Sequence, residues 1–222
     1  MGTITLEKAD HLYWLGRYAE RVYTTLKLYC DGYDSMIDMD DHYHEKLCEL
    51  LDIPDIYASK EDFISRYGYD RSDPNSIISN LIRAYDNAVV MRDEIGTETL
   101  AYIQMALYSL ESAAVSAAPM MKIQKVVDNL LAFWGCVDDQ IDSYCIRSVM
   151  KFGKRVERLD LYLRFRRSPS EIRRNYRRML PRARESGMAC SEAAMRELKR
   201  LIEAPEIDYD AALQQLCRIL DV

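Results

Sequence analysis

Glycine and proline are scarce in this chain, eight and six among 222 residues. Both residues punctuate strands and tight turns, so their rarity speaks against a many-stranded β architecture. No alternating apolar and polar pattern persists long enough to read as a half-buried strand. Uncharged apolar runs stay well short of the roughly 18 residues that a membrane-spanning helix needs. The opening Met1-Gly2-Thr3-Ile4-Thr5-Leu6-Glu7-Lys8 has neither a basic stretch nor an apolar one, so no secretory signal is expected. The six cysteines, at 30, 48, 136, 145, 190 and 217, form no CxxC pair and no compact framework. Scattered in this way they read as reduced thiols of a cytoplasmic protein. A glycine-rich phosphate loop, a Ser-His-Asp set and a cysteine beside a histidine are all missing. No motif calls for a cofactor.

What is present is helical periodicity. With 49% hydrophobic and 30% charged residues, the composition is that of an ordinary globular protein. The expected fold is all-α: one domain over residues 1–222, a single bundle of about eight to ten helices. Thr5 caps a first helix that runs to Tyr29 or beyond. Further helices are expected over 41–51, after Ser59, from Asp73-Pro74 to Ile95, and from Thr97 to just before Pro119. The pattern resumes over 119–135 and 138–165 with a break near Gly135, and then from Ser168-Pro169, Ser191 and Asp208.

Charge is distributed unevenly. The net charge is −6, which argues against general polyanion binding and makes nucleic acid an unlikely partner. Residues 31–73 hold 13 Asp or Glu against 4 Lys or Arg. Residues 164–184 hold nine arginines and one acid, Glu171. Such a run reads as a solvated helix face that pairs with the acidic 31–73 region, within the molecule or in a homo-oligomer, as a dock for an acidic partner protein, or as a polyanion-binding surface through Arg173, Arg174, Arg177 and Arg178.

One phrase is used twice. Gly16-Arg17-Tyr18-Ala19-Glu20-Arg21-Val22 and Gly153-Lys154-Arg155-Val156-Glu157-Arg158-Leu159 both read glycine, base, two spacers, Glu-Arg, aliphatic. At the same offset, the stripe Leu12, Leu15, Ala19, Val22, Leu26 falls on Val149, Phe152, Val156, Leu159, Leu163. Glycine inside a helix costs about 1 kcal/mol relative to alanine, so Gly16 and Gly153 point to close approach of another backbone. If the two helices meet, Glu20 can face Arg158 and Glu157 can face Arg21. Two readings stay open: a buried reciprocal ion pair that sets helix register, or a charged pocket for a carboxylate, phosphate or peptide end. Arg92 and Glu98 sit at expected helix ends, where the dipole favours their charges.

Two weaker signals compete. Asp138-Asp139-Gln140-Ile141-Asp142 reads DDxxD, which in all-helical diphosphate-using enzymes binds magnesium through Asp138, Asp139 and Asp142. Asp40-Asp41-His42-Tyr43-His44-Glu45 contains metal-ligand types, but positions two apart on a helix point in different directions.

Three phrases occur here in order: Tyr13-Trp14-Leu15-Gly16-Arg17-Tyr18-Ala19-Glu20-Arg21, then Arg83-Ala84 through Arg92 to Glu98, then Gly153-Lys154-Arg155-Val156-Glu157-Arg158. Together they resemble the bacterial alpha-E domain family, all-helical proteins marked by a Glu-Arg motif. The resemblance covers about residues 3–166. It implies an all-helical fold and the company of an ATP-grasp protein and a transglutaminase-like protein. The implied role is accessory and binding, in amide-bond formation or peptide modification, with Arg17, Glu20, Arg21, Arg92, Glu98, Lys154, Glu157 and Arg158 as candidate binding residues. Lys154 departs from the arginine expected there, and Gly96-Thr97 from a pair of small hydroxyl residues.

Overall fold

The computed structural model describes the backbone of residues 4–38 and 42–220, and the side chains of 4–30 and 42–220. Eleven helices account for these residues: α1 (Leu6–Asp38), α2 (Tyr43–Leu51), α3 (Lys60–Arg66), α4 (Ile77–Val90), α5 (Arg92–Ile95), α6 (Thr97–Ala114), α7 (Pro119–Asp139), α8 (Tyr144–Arg164), α9 (Pro169–Ser186), α10 (Glu192–Glu203) and α11 (Tyr209–Cys217). The fold is all-α, and the described residues contain no strand beyond one isolated bridge between Cys190 and Leu220. None of these helices is long and apolar enough to cross a membrane, and all six cysteines are free thiols.

Short polar residues start the helices where the sequence suggests. Ser59, Ser168, Ser191 and Asp208 accept hydrogen bonds from the backbone N–H groups of Asp62, Glu171, Ala194 and Ala211. Each satisfies a donor that a helix start leaves without an intrahelical partner. Two boundaries differ from expectation. Asp73 does not cap α4; Ser76 does, accepting from Ser79 N. The Asp73 carboxylate is taken by the Asn75 N–H at 2.8 Å and by the buried Tyr57 hydroxyl at 2.8 Å. Gly135 does not break its helix either, because α7 runs through it to Asp139. Nothing lies near the position of a Gly135 Cβ, and that exposed side tolerates glycine at only its intrinsic helix cost.

The chain divides into two compact units. Unit 1 comprises Met1–Arg17 and Ser143–Val222, and unit 2 comprises Tyr18–Asp142. In unit 1, Leu12, Leu15, Val149, Phe152, Leu159, Ile172, Met179, Leu198 and Ile202 are fully buried. In unit 2 an aromatic cluster fills the region around α3. Phe63 stacks on Tyr67 at 4.7 Å between ring centres and meets Tyr57 edge-on at 4.8 Å. Both copies of the apolar stripe are buried along their whole length, from Leu12 to Leu26 and from Val149 to Leu163. A 3.6-residue period therefore identified the core faces correctly.

The tightest packing in unit 1 is backbone against backbone. A Cβ added to Gly16 would sit 2.1 Å from the Met150 carbonyl oxygen and 3.2 Å from the Lys154 nitrogen. One added to Gly153 would sit 2.1 Å from the Tyr13 carbonyl oxygen and 3.2 Å from the Arg17 nitrogen. These contacts exchange under the same offset that relates the two phrases, so α1 and α8 meet about a local two-fold. Gly16→Ala and Gly153→Ala should each destabilise the protein by about 1–3 kcal/mol or more through overpacking. Gly135→Ala should stabilise it by about 1 kcal/mol, because α7 gains helix propensity there without a clash. Urea unfolding of the three variants checks this, and similar responses at all three positions would contradict the glycine crossing.

Candidate functional site

The Glu-Arg residues of unit 1 gather where α1 and α8 touch. The Arg17 Nε–H donates to the Glu157 carboxylate at 2.6 Å, with Glu157 1% and Arg17 18% exposed. One turn further along α8, the Arg164 Nε–H donates to Asp160 at 2.8 Å, and Asp160 is also buried. The Arg17 guanidinium lies 5.0 Å from the Trp14 ring centre and 5.9 Å from that of Tyr13. Two buried acids are thus each held by an arginine that keeps a little contact with solvent, and the set is close to neutral.

The electrostatics follow from burial. Desolvation lifts the Asp160 carboxyl above its ordinary value, and the nearby Glu157 charge adds to this, while Arg164 and Arg17 oppose it. Burial also pushes the Tyr13 hydroxyl up to about 12, against the lowering effect of Arg17. For Arg17, burial alone favours the neutral form, but Glu157, Tyr13 and Asp160 outweigh it and hold the guanidinium charged.

Within unit 1 Glu157 is paired with Arg17, a partner the sequence reading did not name for it. Arg17 stands at the glycine contact itself, whereas Arg21 lies one turn later in unit 2 and acts on the buried Tyr67 hydroxyl. Glu20, also in unit 2, is fully buried, and its carboxylate accepts from the Thr24 hydroxyl at 3.1 Å. Lys154 and Arg158 are half-buried on α8. Arg92 and Glu98 do sit at helix ends, on α5 and in the first turn of α6, and both are exposed. Arg92 donates to the Thr97 hydroxyl at 3.4 Å. Arg83 of the middle phrase lies over the Tyr18 ring at 5.8 Å, which brings the middle phrase against the first within unit 2. Asp160 and Arg164 escaped the sequence reading because the repeat has no counterpart for them. Their four-residue spacing on one helix face was the available signal.

The aspartate-rich alternative does not hold. Asp138 and Asp139 end α7 and Asp142 lies in the following loop; all three are exposed. A diphosphate-using site needs those carboxylates to line a deep cavity, and they face solvent instead. In the other acidic segment, Asp40 and Asp41 lie outside the described residues. His42 is exposed and pairs with Glu45 at 2.7 Å, while His44 is buried against Phe63. The two histidines therefore point apart.

Removing Arg17 would take from the buried Glu157 the guanidinium that holds it at 2.6 Å. Arg17→Ala should cost about 3 kcal/mol, against under about 0.5 kcal/mol for Arg166→Ala, whose pair with Asp210 is exposed. A second measurement follows Asp160. Its raised folded-state pKa means that the folded protein holds this proton more tightly than the unfolded chain does. The contribution to stability therefore falls as pH climbs from the ordinary 3.8 through the raised value, and is level above it. Stability of Asp160→Asn relative to wild type should rise across that window in denaturant titrations at successive pH values; a flat difference would contradict the assignment.

No curated protein and no solved structure shows a significant match to the chain. A family model does match, over residues 7–178, for a predicted alpha-helical domain with a conserved ER motif. That span takes in both Glu-Arg phrases and the glycine crossing, and the chain belongs to the Alpha-E family.

Proposed function

We propose that this chain is a helical accessory and binding protein, acting beside an ATP-grasp protein and a transglutaminase-like protein in amide-bond formation or peptide modification. The observation that carries the accessory reading is the use made of the motif charges. Arg17 is spent on Glu157 at 2.6 Å, inside a crossing where backbones touch, and Glu157 is buried. Residues so engaged build a rigid frame, and the half-buried and exposed members of the set, Arg21, Arg92, Glu98, Lys154 and Arg158, are the ones a ligand can reach from solvent. Arginine positioned by packing suits bidentate recognition of a carboxylate or phosphate, the groups that a peptide ligase handles. The identity of the two partner proteins comes from the family resemblance.

Co-purification with the cognate ATP-grasp protein tests this, together with ATP turnover by that protein. Association, or a change in turnover, is expected with the wild type and should weaken with Arg21→Ala. The reading fails if the wild type neither associates nor alters turnover. If Arg21→Ala instead loses several kcal/mol of stability, Arg21 belongs to the frame and not to the binding surface.

A further inference from the structure

Of the nine arginines of residues 164–184, Arg167 lies over the Tyr162 ring at 6.0 Å and the other eight separate into two groups. Arg164 pairs with Asp160, and Arg166 pairs with Asp210. Arg173 donates to the Ile202 and Ala204 carbonyls at the end of α10, at 3.0 and 2.6 Å, and Arg182 pairs with Glu185. Four others, Arg174, Arg177, Arg178 and Arg184, are exposed on α9, and none makes a salt bridge or side-chain hydrogen bond among the described residues. At about 100° per residue these four fall on one face of the helix, opposite the buried Ile172, Tyr176 and Met179. Like charges three and four apart on a helix repel, so this face costs stability as it stands.

The units carry opposite charge. Unit 1 has 20 Lys and Arg against 13 Asp and Glu, a net +7; unit 2 has 10 against 23, a net −13. The surplus is felt inside unit 1, where burial and then Arg182 and Arg155 pull Lys151 below the ordinary lysine range. On unit 2, the segment of α2 and α3 exposes Glu45, Glu49, Asp55 and Glu61.

We infer that the arginine face of α9 docks onto the acidic α2–α3 segment of a second copy of this chain. Arginine and carboxylate are matched in geometry as well as charge, since the guanidinium fork donates to both carboxylate oxygens. Nucleic acid fits less well. The molecule as a whole repels a polyanion, and the one aromatic residue of α9, Tyr176, is buried, so the face offers bases nothing to stack on. The two patches differ, so the contact is heterologous and repeats: each copy has one patch left over after the first contact, and growth continues until a ring closes or a chain extends.

Sedimentation velocity on the full chain tests this. At low ionic strength the wild type should form species that grow with protein concentration. They should dissociate at about 0.5 M salt, where exposed charges are screened over a few ångströms. Arg174→Glu/Arg177→Glu/Arg178→Glu should stay monomeric, as should Glu45→Arg/Glu49→Arg/Glu61→Arg, with unchanged helical circular dichroism in both. In an equimolar mixture association should return, because the intact arginine face of one variant meets the intact acidic segment of the other, and the two reversed faces are again opposite in charge. A monomeric wild type at low salt, or a mixture that stays monomeric, overturns the proposal. So does a wild type that associates only when a short DNA or RNA duplex is added, which would assign the face to nucleic acid.

Discussion

Unit 1 depends on two helices that touch without side chains between them. At Gly16 and Gly153 the carbonyl oxygens of Met150 and Tyr13 stand where a Cβ would be. Any other residue at either position pushes α1 and α8 apart, and every contact at their meeting is set by that separation. The glycines weaken their own helices by about 1 kcal/mol each. The close approach they permit offsets this through the fully buried Leu12, Leu15, Phe152 and Leu159 that close around it.

The ion pair follows from the approach. Glu157 is 1% exposed, and an isolated carboxylate in that position would be expelled or protonated. Arg17 reaches it only because the backbones are so near, and the Trp14 and Tyr13 rings shelve the guanidinium on its own helix. A lysine in place of Arg17 would offer a charge but no planar group to lie over those rings. Asp160 and Arg164 repeat the arrangement one turn on, and the Asp160 carboxyl shows the cost, held above its ordinary range by burial and by the neighbouring acid. Buried pairs of this kind favour one register over others more than they add net stability.

Much of this was legible in the chain itself. The apolar stripes, the helix starts at Ser59, Ser168, Ser191 and Asp208, and the close approach at the two glycines all follow from local rules of period, capping and propensity. What escaped the sequence depends on three-dimensional proximity. The pairing of Arg17 with Glu157 depends on where the glycine contact sets the two helices. Asp73 is an ordinary capping residue by type, yet a buried tyrosine hydroxyl claims it from 16 residues away. Gly135 looks like a stop signal, but nothing packs at that position and the helix simply continues. The aspartates at 138, 139 and 142 have the spacing of a metal motif, and only their exposure shows that they line nothing.

Unit 1 is discontinuous: its first helical turns precede unit 2 in the chain, and the rest follows it. During synthesis, Leu12 and Leu15 leave the ribosome long before Val149, Phe152 and Leu159, which belong to the same core. At ordinary elongation rates that interval is on the order of ten seconds. Unit 2 can close within it, but the N-terminal turns of α1 must wait with their apolar face uncovered, in reach of chaperones or of neighbouring nascent chains.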